Sequence, residues 1–298
     1  MAIIVGAAGL LIALPLGMAP RAAPDAGHQR TLPAAAQPPS QSHRRRPRRG
    51  VPTTRLVWDD EFNGAAGAPP DARKWQVIRG GGGFGNDELQ YYTGRSGNIA
   101  LDGAGHLVIT ALRERYTGRD GVTRNYTAAA IQTKGRFQVM YGRLEARIEI
   151  PEGTGLWPAF WAVGSDVDSV GWPSSGEIDM MENTGNDPFT IFGSIHGPQP
   201  GLADGYGITT RKHSSRSLAR GFHVYGVTWS YDKLVFTLDG IPYATYRPST
   251  LVRGQQWEFN QPFFLIVNLA VGGTMPGSPD AATPFPAKML VDWVRVYR

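Results

Sequence analysis

Across residues 142–150 the side chains alternate without a break. Leu144, Ala146, Ile148 and Ile150 fall on one side, and Arg143, Glu145, Arg147 and Glu149 on the other. A period of two is the mark of a strand with one buried face. Such a strand needs hydrogen-bonded neighbours at both edges and a second layer over its apolar side. Runs at 106–111, 234–238, 263–269 and 289–297 can supply them, with Gly, Asn, Asp or Pro between them. Asp239-Gly240 is a hairpin turn signal. The 38 glycines and 23 prolines lean towards many short strands joined by turns, and no extended amphipathic helix stands out. The expected fold is all-β, an antiparallel sandwich or jelly roll.

A chain of 298 residues, 41% hydrophobic, can bury one sizeable core. It has no cysteine, which excludes disulfides and thiol or cysteine–zinc chemistry. The net charge of +5 is uneven. Residues 1–54 carry seven arginines and one aspartate, leaving 23 basic against 24 acidic residues in the rest. No basic folded face is available to nucleic acid.

Residues 3–16 form an apolar run too short to span a membrane comfortably, followed by small residues. We read 1–23 as a signal peptide, although its start lacks a positive charge. Residues 24–54, rich in Ala, Pro and Arg, read as a disordered linker, and 55–298 as the folded domain. The expected product is a secreted or envelope-associated monomer with no membrane span after cleavage. Arg44, Arg45, Arg46, Arg48 and Arg49 read as a solvated basic spacer.

The run Gly176-Glu177-Ile178-Asp179-Met180-Met181-Glu182-Asn183 carries the chemistry. Alternation puts Glu177 and Asp179 on one face and Ile178 and Met180 on the other. Continued regularly, it would turn Glu182 into the core, where a lone carboxylate is costly. A β-bulge at Met180-Met181 absorbs one residue and returns Glu182 to the acidic face. The Cα atoms of Glu177 and Glu182 are then about 13 Å apart, and the leaning carboxyls roughly 5–6 Å. That is the spacing of a retaining glycosidase, in which one acid attacks C1 and the other protonates the leaving oxygen. Three adjacent acids repel, so at least one should hold its proton. An exposed acidic edge or a calcium loop is the competing reading. The interleaved apolar residues favour a strand over a loop.

Glu177-Ile178-Asp179-Met180-Met181-Glu182 resembles the signature of the family 16 glycoside hydrolases, in the bulged form of laminarinases. The resemblance extends through Trp58-Asp59-Asp60-Glu61-Phe62, Gly85-Asn86-Asp87-Glu88-Leu89-Gln90-Tyr91-Tyr92-Thr93 and Leu156-Trp157-Pro158-Ala159-Phe160-Trp161. It continues in Gly193-Ser194-Ile195-His196-Gly197, Asn268-Leu269-Ala270-Val271-Gly272-Gly273 and Val291-Asp292-Trp293-Val294-Arg295-Val296-Tyr297. It implies a lectin-like jelly roll with a concave glycan cleft and a β-glucan substrate. Glu177 would be the nucleophile, Glu182 the acid/base and Asp179 a hydrogen-bonding partner between them. Asn86, Glu145 and Arg147 would bind sugars on the non-reducing side, which assigns the charged face of 142–150 to the cleft. Trp157, Trp161 and Trp172 would stack on sugar rings, and His196 would lie near the leaving group. No cofactor is needed for the chemistry. A structural calcium ion would be held by main-chain oxygens of Glu61 and Gly105 and the Asp292 side chain. One departure is Met275, where many laminarinases carry an aromatic, so a distal donor platform is missing.

Trp58, Trp229 and Trp293 read as core, and His223 as a satisfied sandwich histidine. Gly80, Gly82 and Gly85 match a dinucleotide motif, but Asn86-Asp87-Glu88 follows and its acids would repel a pyrophosphate. The segment reads as a flexible loop at the cleft rim. The expected activity is retaining endo-hydrolysis of β-1,3-glucan. The alternatives are a mixed-linkage β-glucanase, a transglycosylase, or a glucan-binding protein without catalysis.

Overall fold

The computed structural model describes residues 55–298, so the signal-peptide and linker expectations for 1–54 lie outside the described residues. Strands make two sheets. One has seven strands in the order Leu202–His213, Thr190–Gln199, Glu177–Glu182, Leu156–Gly164, Phe263–Val271, Ala130–Gln132 and Gln76–Ile78. The other has ten. Its main path is Ile241–Tyr246, Lys233–Leu238, His223–Ser230, Gly142–Glu149, Ala287–Tyr297, Leu107–Thr117, Thr123–Ala128 and Gln90–Tyr92. Leu56–Asp60 and Ile99–Leu101 join its side. Pairing is antiparallel except between Gln90–Tyr92 and Thr123–Ala128. Among the described residues the one α-helix is the four-residue Val167–Val170. The expected all-β sandwich jelly roll is the observed fold.

The two sheets meet through the apolar half of each alternating strand. Leu144, Ala146 and Ile148 face Phe160, Ala162, Ile178, Leu265 and Val267, all fully buried. Each of the larger ones, Leu, Ile, Val and Phe, contributes about 1.5–3 kcal/mol on full burial, stability that a chain without disulfides needs. Asp239 and Gly240 both take positive φ and close the predicted hairpin between Lys233–Leu238 and Ile241–Tyr246. Trp229 is core as expected, its indole N–H donating to the Phe259 carbonyl at 2.9 Å. Trp293 is not. It lies half-buried on the outer face under the Arg295 guanidinium, 4.2 Å from its ring, because register shifts between Val291 and Trp293.

Candidate active site

The strand Glu177–Glu182 sits third in the seven-stranded sheet and carries the expected bulge. Toward Leu156–Gly164, Asp179 pairs with Trp161, Met181 with Phe160 and Glu182 with Ala159, so Met180 has no partner of its own. Toward Thr190–Gln199, Asp179 faces Ser194 and Glu182 faces Phe192. Two residues, Met180 and Met181, therefore oppose Gly193 alone. A side chain at Gly193 would not fit: its Cβ would lie 2.3 Å from the Tyr243 hydroxyl and 2.9 Å from Phe236. Met180 and Met181 are fully buried, and all three acids emerge on the outer face with 6% exposure or less.

Register places the neighbours of each acid. Glu177 lies between His196 and Val163, Asp179 between Ser194 and Trp161. Glu182 and Asn268 both pair with Ala159. The His196 Nε2 is 3.2 Å from Asp179 Oδ2. The Trp157 indole N–H donates to Glu182 Oε1 at 3.1 Å. Trp161 donates to Asn268 Oδ1 at 2.7 Å, and Asn268 Nδ2 to the Tyr92 hydroxyl at 3.1 Å. Trp172 tilts toward His196 with ring centres 6.3 Å apart. Asp179 Oδ2 and His196 Nε2 thus face each other, and Trp172 Nε1 faces Glu177 Oε2, but none of these four buried atoms makes a well-aligned hydrogen bond. Buried polar atoms are normally well bonded, so four poorly aligned ones in one place mark where a polar ligand can improve the set.

Burial raises the pKa of Glu177 well above the carboxylate range, and the charges of Asp179 and Glu182 raise it further; the Trp172 indole opposes this. Burial, then Asp179, does the same to Glu182, against donation from Trp157 and Ser194. Glu177, Asp179 and His196 offer ligand atoms within 4.8 Å of one another, so a divalent ion could be held there. An ion would need both acids ionised, whereas burial and mutual repulsion favour keeping a proton in the cluster.

The cleft along this face is lined by Asn86, Glu88, Trp157, Ala159, Trp161 and Asn268 beside the three acids. It continues into a second hollow between Ile78, Phe84, Tyr92, Ala130 and Ile266, sharing Asn86, Glu88, Trp161 and Asn268. The glycine-rich segment thus stands at the cleft rim as expected. Gly273, at φ +111, lets it approach: a Cβ there would sit 2.9 Å from the Asn86 carbonyl and 3.0 Å from Trp157. Met275 packs against the core, leaving no ring at that place.

Asn86, Trp161, Trp172 and His196 are gathered with the acids. Trp157 is also present, but only 4% exposed, so it acts through its N–H and not as an open stacking face. Glu145 and Arg147 are not in the cleft. Their strand, Gly142–Glu149, belongs to the ten-stranded sheet between His223–Ser230 and Ala287–Tyr297, and its charged side faces away from the core. There Arg143 donates to Glu145 at 2.7 Å, and Arg147 donates to Asp292. The alternation of 142–150 fits an outer surface of either sheet, and long-range pairing decides which. Sequence reading missed Glu88, Tyr92, Ser194 and Asn268 as cleft residues. Glu88, Gln90 and Tyr92 share period two, a signal that three polar groups face one way.

The three residues assigned to calcium lie on or next to strands that pair in the ten-stranded sheet. Leu107 pairs with Val291 and Asp60 with Val294, bringing Gly105 and Glu61 to the vicinity of Asp292. Main-chain oxygens with a carboxylate make an all-oxygen set of the kind calcium takes. The Glu61 carboxylate is held by Arg295 at 2.7 and 2.8 Å and so does not compete for that role. Asp292 Oδ2 accepts from Arg147, which leaves Oδ1 for an ion, with His106 Nε2 3.9 Å away.

Comparison with known proteins agrees with this geometry. The solved endo-β-1,3-glucanase from Pyrococcus furiosus is 42% identical, with a TM-score of 0.76 over 82% of this chain and 94% of its own. The laminarinase catalytic domain from Thermotoga maritima is 38% identical, with the same TM-score over 82% of this chain and 98% of that one. A β-glucanase of Rhodothermus marinus is 38% identical over 260 residues, 83% of this chain and 86% of the relative. The sequence profile described as glycosyl hydrolases family 16 matches residues 87–295, a span that includes the bulged acid strand and the residues around it. On fold, cleft and profile together, the chain belongs to the glycosyl hydrolases of family 16.

Proposed function

We propose that this glycoside hydrolase cleaves internal β-1,3-glucosidic bonds of β-glucans such as laminarin, with retention at C1. The observation that carries the reading is the bulged strand that sets Glu177, Asp179 and Glu182 on one buried face, beside His196 and Trp172. Glu177 attacks C1 while Glu182 gives its proton to the leaving oxygen, breaking the glycosidic bond and forming a glycosyl ester. Glu182, now ionised, takes a proton from water, which attacks C1 and releases Glu177. Asp179, beside Glu177 and 3.2 Å from His196, hydrogen-bonds the nucleophile and holds its orientation. Asn86, Trp161 and Trp172 line the sugar path.

The chemistry needs no cofactor. Calcium at Glu61, Gly105 and Asp292 would brace the outer sheet, far in role from the reaction. The apolar start of the sequence supports export, with 1–23 removed and the enzyme acting outside the cell or at its envelope as a monomer. No helix among the described residues is long and apolar enough to cross a membrane. The test is reducing-sugar release from laminarin by the purified enzyme and by Glu177→Gln. Wild-type turnover with loss of several orders of magnitude in the variant, at an unchanged melting temperature, is the expected result. Undiminished hydrolysis by Glu177→Gln would remove the assignment.

A further inference from the structure

Glu88 is a buried carboxyl in the cleft that the two-acid mechanism does not use. It is 7% exposed, and it lines both hollows, that of the catalytic acids and the one beyond Trp161. Hydrogen bonds run toward it in one direction. Trp161 donates to Asn268, Asn268 donates to the Tyr92 hydroxyl, and Tyr92 engages Glu88. From the other side Gln90 donates to Glu88 Oε2, and Gln90 is itself fixed by accepting the Val271 N–H at 2.8 Å. Asn86 is a third partner. Burial pushes the Glu88 carboxyl up to about 7 in spite of these bonds, so the group is held ready to ionise and not paired to a cation. Burial also raises Tyr92 well above the usual phenol range, which keeps it a donor.

We propose that Glu88 is a substrate-binding residue: its carboxylate, the terminal acceptor of the Trp161–Asn268–Tyr92 relay, receives hydroxyls of the sugar bound on the side of the acid strand away from His196. A carboxylate has about four lone-pair positions, and three partners leave room for a hydroxyl donor from the cleft. An aromatic ring fixed by the same relay, two amides and a carboxylate together make a surface that stacks one sugar face and reads its edge. The relay also sets the angle of Trp161, so hydroxyl binding at Glu88 and stacking on Trp161 act as one unit.

This inference rests on the β-glycan reading above, and the two fail separately. Wild-type enzyme that leaves laminarin intact would overturn the laminarin reading. Glu88 is judged by the ratio of variant to wild type on the β-glycan the wild type does cleave. Glu88→Gln keeps the shape and one acceptor but removes the charge. It should raise KM roughly ten- to hundredfold, the loss expected of a charge-assisted bond, with kcat within about threefold and an unchanged melting temperature. If that variant fails to fold, Tyr92→Phe removes the relay hydroxyl and should raise KM in the same direction with kcat retained. A wild-type KM in a folded Glu88→Gln, or a fall in kcat with KM unmoved, overturns the assignment and leaves Glu88 a scaffold residue. A KM rise that comes only with a lowered melting temperature in both variants overturns it too.

Discussion

Replacing Trp157 by Phe should move the alkaline limb of the pH–activity profile to higher pH. The Trp157 N–H donates to Glu182 Oε1 at 3.1 Å, and Glu182 is enclosed at 6% exposure. The bond stabilises the ionised carboxylate more than the acid, so its loss raises the pKa, adding to the upward push of burial and of Asp179. A hydrogen bond to a charged group contributes about 1.5–3 kcal/mol. At 1.36 kcal/mol per pKa unit the limb should rise by about one to two units. The sign follows from the role: the general acid works while protonated, and a higher pKa keeps it protonated further into alkali. Phe keeps a ring in the same core site. Glu177 and Glu182 titrate in each other's field, but the deleted donor bonds to Glu182 alone, which identifies the limb it moves. The assay is kcat/KM on laminarin from about pH 4 to 10, with the melting temperature as a control for folding. Ser194→Ala should shift the limb the same way by less, since its contribution is the smaller of the two donors. A limb that stays fixed, or moves to lower pH, would refute the assignment of Glu182 as the acid.

Three other outcomes are expected. Early products followed by NMR should show the new reducing end first as the β-anomer; an initial α-anomer would mean that water attacks C1 directly. Added calcium should raise the melting temperature by binding the native state alone, and Asp292→Ala should abolish that response. A wild-type melting point indifferent to both calcium and chelator would sink the calcium site. Deletion of Met181 should leave a soluble enzyme with measurable activity, because Glu177, Asp179 and the final acid then share a face by plain alternation, while deletion of Ile178 should abolish activity. Misfolding of both deletions would count against the bulge.

What could be read from the sequence depended on whether the rule involved was local. The bulge was legible because Glu182 in regular register would be a lone acid in the core, and the sequence offers only Met180-Met181 between it and Asp179. The hairpin at Asp239-Gly240 was legible for the same reason: both residues tolerate positive φ, and both adopt it. Glu145 and Arg147 were misplaced because alternation states that a strand has two faces, not which sheet it joins. That is decided by Gly226 and Arg295, its partners about 80 and 150 residues away in sequence. Trp157 was correctly placed near the acids, yet sequence does not tell a ring offered to a sugar from an N–H aimed at a carboxylate. Glu88 was passed over because it was used only to set aside a phosphate site, as an acid in a loop at the cleft rim. Its period-two relation to Gln90 and Tyr92 held the better information.

The acid strand must satisfy two demands that conflict in a regular strand. Its inner side has to stay apolar, since Ile178, Met180 and Met181 are fully buried against the facing sheet. Its outer side has to present three acids, and the interval from Glu177 to Glu182 is odd, which alternation sends to opposite faces. One extra residue resolves the parity, but it needs volume on the inner side and slack in both neighbouring ladders. The register shifts against both neighbours at the same place, so neither ladder is left out of phase alone. Gly193 stands opposite the extra residue, and the Tyr243 ring from the facing sheet fills the space its missing side chain leaves. The Tyr246 hydroxyl then donates to the Gly193 carbonyl at 3.0 Å, tying that point to the same hairpin. The position of Glu182 is therefore set by the far sheet as well as by its own strand, and if Glu182 is the acid, substitutions at Gly193 or Tyr243 should lower kcat through the bulge without touching the sugar.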